Sequence, residues 1–304
     1  MFLKFVPYFP VLLFFQELVS TSISSAYLGS YRLLNIVNVG QTSRLWQAYD
    51  DDQRTYVGIK TLQERYQRDS QQIYFLRREY EVAGPLDHPL VMKIHNYGRD
   101  KKVPYLVMEW CSAPNLKMLL NRGYEQIAPH MKTIVPQMVE ALVYLHGKGW
   151  IHRDIKPDNY IFSEETGLKL IDFALAVNKP NFMSKMFGSK VHGTASYMAP
   201  EQIQGKAVDE AADIYSIGCT FFELIAGRPP YTGGTMNDLL QKHISGAIPP
   251  LTARNKNVTP EMAEIVKLCL SKDAKDRPRT SKELYDMIKS VRVYKKTPKN
   301  SDVN

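Results

Sequence analysis

The strongest constraint is how apolar periodicity changes along the chain. Between Tyr31 and Lys60, runs rich in Val, Ile, Leu and Tyr (Tyr31 to Val37, Leu45 to Tyr49, Tyr56 to Lys60) are separated by turn-forming clusters, which predicts three consecutive antiparallel strands. Helical spacing follows from Ser70 to Ala83 and stops at Gly84-Pro85; strand character resumes at Met92 to Gly98 and Val103 to Trp110. Helical periods then dominate, at Met131 to His146, Ala212 to Ala226, Met236 to Ile244, Pro260 to Leu270 and Ser281 to Ile288. Strands first and helices afterwards imply segregated lobes instead of one alternating parallel sheet. The expected class is α+β: a small five-stranded antiparallel lobe with one helix at 31–110 and a larger, mainly helical lobe at 111–291.

With 304 residues, 44% apolar and 23% charged, the chain excludes collagen-like, coiled-coil and wholly disordered readings. Cys111, Cys219 and Cys269 are odd in number and far apart, which fits neither a disulfide framework nor a metal clip and points to a reducing compartment. The net charge of +8 is dispersed among acids except near the end, at Lys289, Arg292, Lys295, Lys296 and Lys299. Nucleic acid is therefore not an expected partner, and 292–304 reads as a basic tail. At the other end, residues 1–30 do not match the rest. Phe5 to Phe15 is apolar but broken by Pro7 and Pro10 and short of the ~20 residues that cross a bilayer as a helix. A weak secretory signal, a peripheral apolar docking segment and a start assigned too far upstream all fit it. A cytoplasmic location is expected, with membrane association through this segment as the variant.

Four strings carry chemistry. Residues 152–159 read His-Arg-Asp-Ile-Lys-Pro-Asp-Asn, and thirteen residues past Asn159 stands Asp172, in Leu-Ile-Asp-Phe. Val-Gly-Ile-Lys precedes them at 57–60, and Ala199-Pro200-Glu201 follows. Together, in this order, they resemble the catalytic loop, magnesium site, phosphate-binding lysine and Ala-Pro-Glu string of protein kinases. The run from Gly193 to Gly233, with Gln202 after the glutamate and Pro229-Pro230-Tyr231 after a helix, is most similar to the bacterial eukaryotic-like serine/threonine kinases.

The resemblance implies a bilobal kinase fold that transfers the γ-phosphoryl of ATP to Ser or Thr hydroxyls of protein substrates, with Mg²⁺ (or Mn²⁺ in its place) as cofactor, in signalling with autophosphorylation. Phosphoryl transfer asks a protein mainly to place the nucleophile and to neutralise spread negative charge. The resemblance gives Asp154 the substrate hydroxyl proton, Lys156 the transferring phosphoryl, and Asn159 and Asp172 the metal. Lys60 would meet the α and β phosphates, with Glu79 as its partner, although Glu81 is as available by composition. Nucleotide contacts fall on Val37, Asn38, Gly40, Ser43, Leu45, Met108, Glu109, Cys111 and Ile161. Thr194 would meet Asp154 and Lys156, Glu201 would pair with Arg277, and Asp213 would hold the catalytic-loop backbone.

Several departures stand out. Only Gly40 survives of the glycine-rich loop, so Asn38 is expected to supply left-handed backbone there. Ala174 replaces a glycine, which should restrict the segment after Asp172. Gly58 replaces an alanine, and Ala83 stands where a larger apolar residue is usual, so the helix bearing Glu79 is expected to dock loosely. Ser184 and Ser189 are the candidate phosphosites, with Arg153 as a phosphate receptor. Two rival classes remain at this stage: a pseudokinase scaffold that binds nucleotide or partners without turnover, and a small-molecule phosphotransferase of related fold.

Overall fold

The computed structural model describes residues 27–179 and 193–296. In the first lobe, β1 (Tyr27–Leu28), β2 (Tyr31–Val39), β3 (Ser43–Asp50), β4 (Thr55–Leu62), β5 (Ile94–Asp100) and β6 (Val103–Glu109) form one antiparallel sheet. Its spatial order is β1-β2-β3-β4-β6-β5, six strands where five were expected. The addition is the two-residue β1, too short to leave a periodic signal. Because side chains alternate across a sheet, Val57, Ile59, Tyr105 and Val107 bury on one face, while Leu106 and Met108 join the main core on the other.

Helix α1 (Ser70–Ala83) packs on β5 and β6 and matches its expected bounds. The Asp69 carboxylate starts it by accepting from the Gln71 and Gln72 amides at 2.9 and 3.1 Å, satisfying donors that a helix start leaves free. Its inner face buries Leu76, Val82 and Ala83, and with them one carboxylate, Glu79.

The second lobe holds α2 (Leu116–Arg122), α3 (Met131–Gly147), α4 (Pro200–Ile203), α5 (Glu210–Ala226), α6 (Met236–Ser245), α7 (Leu251–Arg254), α8 (Pro260–Cys269) and α9 (Ser281–Ile288). Every residue of α5 from Ala211 to Ile225 is buried, which fits its mostly apolar sequence, its polar members Asp213, Ser216, Thr220 and Glu223 all being hydrogen-bonded. Gly218 permits this packing: a Cβ there would stand 2.6 Å from Cys269 Cβ on α8. Two short two-stranded sheets complete this lobe. β7 (Trp150–Ile151) pairs with β10 (Val177–Asn178), and β8 (Tyr160–Ser163) with β9 (Gly167–Leu170). The loops between them, 152–159 and 171–176, carry the two motif strings.

The segment read as a basic tail is folded onto this lobe as far as Lys296. Val293 and Tyr294 are buried, the Thr259 amide donates to Val293 O at 3.0 Å, and the Lys295 amide to Asn257 O at 2.8 Å. Among the described residues no helix is long and apolar enough to cross a membrane. The apolar stretch from Phe5 to Phe15 and both candidate phosphosites, Ser184 and Ser189, lie outside the described residues.

Candidate active site

The loop that follows β7 is pinned from below by α5. Asp213, fully buried, accepts from the His152 amide at 2.7 Å and the Arg153 amide at 2.8 Å, and meets His146 Nε2 at 2.9 Å. These bonds hold Arg153 at φ 70°, a left-handed conformation that is costly for a residue with a side chain. Burial pushes the Asp213 carboxyl up, but His146, together with the ring and amide of His152, outweighs it and leaves it below the usual range. On its other ring nitrogen, His146 meets Glu210 Oε2 at 3.1 Å and Ser281 Oγ at 2.9 Å.

With its backbone fixed, the loop gathers four side chains. Lys156 Nζ donates to Asp154 Oδ2 and to Thr194 Oγ1, each at 2.7 Å. Asp154 Oδ1 accepts from both the amide and the hydroxyl of Thr194 at 3.0 Å. Asn159 spends its amide hydrogens on Asp154, at 2.8 Å to the backbone oxygen and 3.2 Å to Oδ2, which leaves its carbonyl oxygen as a donor for a cation.

A second cluster bridges the lobes. Lys60 Nζ, on β4, lies 2.7 Å from Glu79 Oε2 and 3.7 Å from Asp172 Oδ1. Burial alone would lower the Lys60 ammonium, but the Asp172 and Glu79 carboxylates win and raise it. Lys60 depresses Asp172, aided by His152 and Lys156 against burial, so Asp172 feels the cations of both clusters. Glu81 points the other way, to Arg77 at 3.0 Å on the surface, and geometry thereby selects Glu79. The loose docking expected from Ala83 is not what the structure has. Ala83 is fully buried in the main core, and α1 stands close enough for Glu79 to reach Lys60. In the segment where Ala174 replaces a glycine, the positive φ, 65°, falls on Asp172, a type that tolerates it, and Ala174 has ordinary φ.

The residues assigned to nucleotide lie around these clusters. Leu45 faces Lys60 in the β3–β4 ladder, and Met108 faces Gly58 in the β4–β6 ladder. A Cβ at Gly58 would be 3.0 Å from Met108 Cγ, so the missing methyl makes room for that side chain. Glu109 ends β6, with Lys93 N and Lys169 Nζ each 2.8 Å from its carboxylate; Cys111 follows, half-buried, and Ile161 is buried on β8. The β2–β3 turn closes through a 2.9 Å bond from the Gly40 amide to Ser43 O. No residue of this turn takes positive φ. Asn38 pairs with Leu45 as strand, and Val37 is the extra residue of a bulge between Ile36 and Asn38.

Among the described residues no group of three or more His, Cys, Asp or Glu side chains gathers to hold a metal on its own. Asp172 and Asn159 instead offer one carboxylate and one amide oxygen. That set suits Mg²⁺, which prefers hard oxygens and takes one or two from protein while keeping water and substrate phosphate.

Other supports carry no sequence signal at all, because their partners are far apart in the chain. His152 stacks edge-on against Phe173 with centroids 5.3 Å apart. Gln202 Nε2 donates to Arg153 O at 3.1 Å, and Tyr197 and Lys117 both reach the buried Glu223 carboxylate. Glu201 and Arg277 pair as expected, with oxygen–nitrogen distances of 2.7 and 3.0 Å.

A family model described as the protein kinase domain matches residues 31–287. The chain belongs to the protein kinase family. The lobes described above are the two lobes of the kinase domain; three of the motif strings supply the Lys60, Asp154 and Asp172 clusters, and the fourth, Ala199-Pro200-Glu201, is held to Arg277 in the second lobe. Similar curated proteins carry serine/threonine-protein kinase names. PknA of Mycobacterium tuberculosis is 30% identical over 278 residues, which cover 90% of this chain and 64% of that protein. PknB of Mycolicibacterium smegmatis is 31% identical over 262 residues, 84% of this chain and 41% of that protein. A probable serine/threonine-protein kinase of Clostridium acetobutylicum is 29% identical over 262 residues, 86% of this chain and 40% of that protein. The chain thus spans less than two thirds of the length of the curated relatives it matches.

Proposed function

We propose that the protein transfers the γ-phosphoryl group of ATP to Ser and Thr hydroxyls of protein substrates. The observation that carries this reading is the Asp154–Lys156–Thr194 triangle, in which a carboxylate and an ammonium jointly hold a threonine hydroxyl at 2.7 to 3.0 Å. In the reaction, Asp154 accepts the hydrogen bond of the incoming hydroxyl and takes its proton as the oxygen–phosphorus bond forms and the bond to ADP breaks. Lys156 adds positive charge beside the phosphoryl. Lys60, kept charged and aimed by Glu79, holds the remaining phosphates. Asn159 and Asp172 would hold Mg²⁺, which when bound neutralises the phosphate charge. Val37, Asn38, Gly40, Ser43 and Leu45 roof the nucleotide, Ile161 floors it, and the Glu109 and Cys111 backbone binds its base beside Met108.

Three free cysteines fit a reducing compartment that also supplies ATP. The formed Lys60–Glu79 pair speaks against a scaffold without turnover, and the Gly193–Glu201 segment beside Asp154 speaks for protein over small-molecule acceptors. Incubation with γ-labelled ATP and Mg²⁺, followed by phosphoamino-acid analysis of a protein acceptor, tests the proposal. Label on phosphoserine or phosphothreonine is expected. Label confined to a small-molecule acceptor, or none with any acceptor, would overturn it.

A further inference from the structure

Two neighbours on α1 do different work. Glu79 turns into its own lobe toward Lys60, while Arg78, one residue earlier, reaches across to the other. The Arg78 guanidinium carbon stands 4.9 Å from the ring centroid of Trp150, within cation–π range, and Nη2 approaches Ala176 O at 3.5 Å. Glu81 Oε2, 3.7 Å from Arg78 Nη1, steadies it from its own helix. Trp150 is itself placed by structure. It pairs with Asn178 in the β7–β10 ladder and packs on the main core. The contact therefore joins the residue before Glu79 to the strand that enters His152-Arg153-Asp154.

We infer that the Arg78–Trp150 contact is an interlobe strut that holds α1 in the position where Glu79 can pair with Lys60, making Arg78 and Trp150 positioning residues for catalysis. Helix α1 packs mainly on β5 and β6 of its own lobe, and a helix turns as a rigid body. A rotation that withdraws Glu79 must lift Arg78 off the indole. Conversely, the indole face draws Arg78 toward β7 and resists that rotation. A cation–π contact at a partly exposed site corresponds to a roughly two- to thirtyfold shift in such an equilibrium.

The inference rests on the kinase reading only for its activity readout, so hydrogen exchange of the full chain is measured alongside kinetics. In Trp150→Leu, amides of 70–83 are expected to exchange about fivefold faster with α3 and α5 unchanged, and kcat to fall about fivefold at constant peptide KM. Trp150→Phe, which keeps an aromatic face, should recover most of both effects. Arg78→Gln should match Trp150→Leu alone and add little to it in the double variant. Unchanged exchange of α1 in Trp150→Leu, exchange raised equally in both lobes, or fully additive effects would each overturn the strut. If the wild type transfers no phosphate, the exchange data still decide, and only the kinase reading fails.

Discussion

Glu201 and Arg277, 76 residues apart in sequence, meet as a two-pronged ion pair, Oε1 to Nη1 at 2.7 Å and Oε2 to Nη2 at 3.0 Å. The Arg277 side chain is fully buried and also donates to Ala211 O and Ser271 O, each at 2.8 Å. Removing one member of such a pair strands a buried charge, which costs about 3–5 kcal/mol. Arg277→Met should lower the unfolding free energy by about that amount in denaturant titration, and Arg277→Lys should recover only part of it, since a single ammonium cannot make the fork.

Two of the three buried histidines, His146 and His243, should affect stability in opposite pH directions. Burial pushes His146 down, but the Asp213 and Glu210 carboxylates override it and raise it above 6.5. Its contribution is complete below pH 6.5 and is lost as pH climbs through the higher folded value. Burial, with Lys272 nearby, lowers His243 to about 4. The neutral folded form then loses about 3 kcal/mol as pH falls from 6.5 to about 4. Unfolding free energies of wild type, His146→Gln and His243→Phe across pH 4 to 9 check both: the first difference should shrink as pH rises, the second as pH falls.

Two glycines with ordinary φ should differ in their tolerance of a methyl. At Gly218 the added Cβ meets Cys269 Cβ at 2.6 Å, inside a packed helix pair. Gly218→Ala should cost about 1–3 kcal/mol or more by overpacking. At Gly58 the contact is 3.0 Å to the flexible Met108 side chain, so Gly58→Ala should cost about 1 kcal/mol or less. Thermal unfolding of the two variants separates them.

The sequence reveals residue types where chemistry dictates them and hides contacts that only folding creates. Asp154, Lys156, Asn159 and Asp172 were legible because the strings at 152–159 and 170–173 resemble the kinase catalytic loop and magnesium site. Glu79 and Glu81 were indistinguishable by type, and the facing of α1 separated them. Helix α2, seven residues between Asn115 and Gly123, is too short for a clear period. Val293 and Tyr294 were masked by the lysines around them, and the bonds joining His146 to Glu210, Asp213 and Ser281 span 64 to 135 residues.

That facing yields a paired prediction. Glu79→Gln removes the carboxylate 2.7 Å from Lys60 and should cut phosphoryl transfer by about 10²-fold, since misplacement of a positioning group by about 1 Å has that effect. Glu81→Gln, which loosens partly exposed pairs with Arg77 at 3.0 Å and Arg78 at 3.7 Å but leaves the Arg78–Trp150 contact itself in place, should leave turnover within about twofold. Steady-state kinetics with one peptide acceptor checks both.

Transfer of label from γ-labelled ATP to a protein acceptor by wild type and Asp154→Asn, side by side, tests the account most directly. The substitution keeps size and shape while removing the proton acceptor beside Thr194 and Lys156. The account predicts clear incorporation by wild type and a loss of about 10²–10⁴-fold in the variant. Equal incorporation by the two proteins would contradict it.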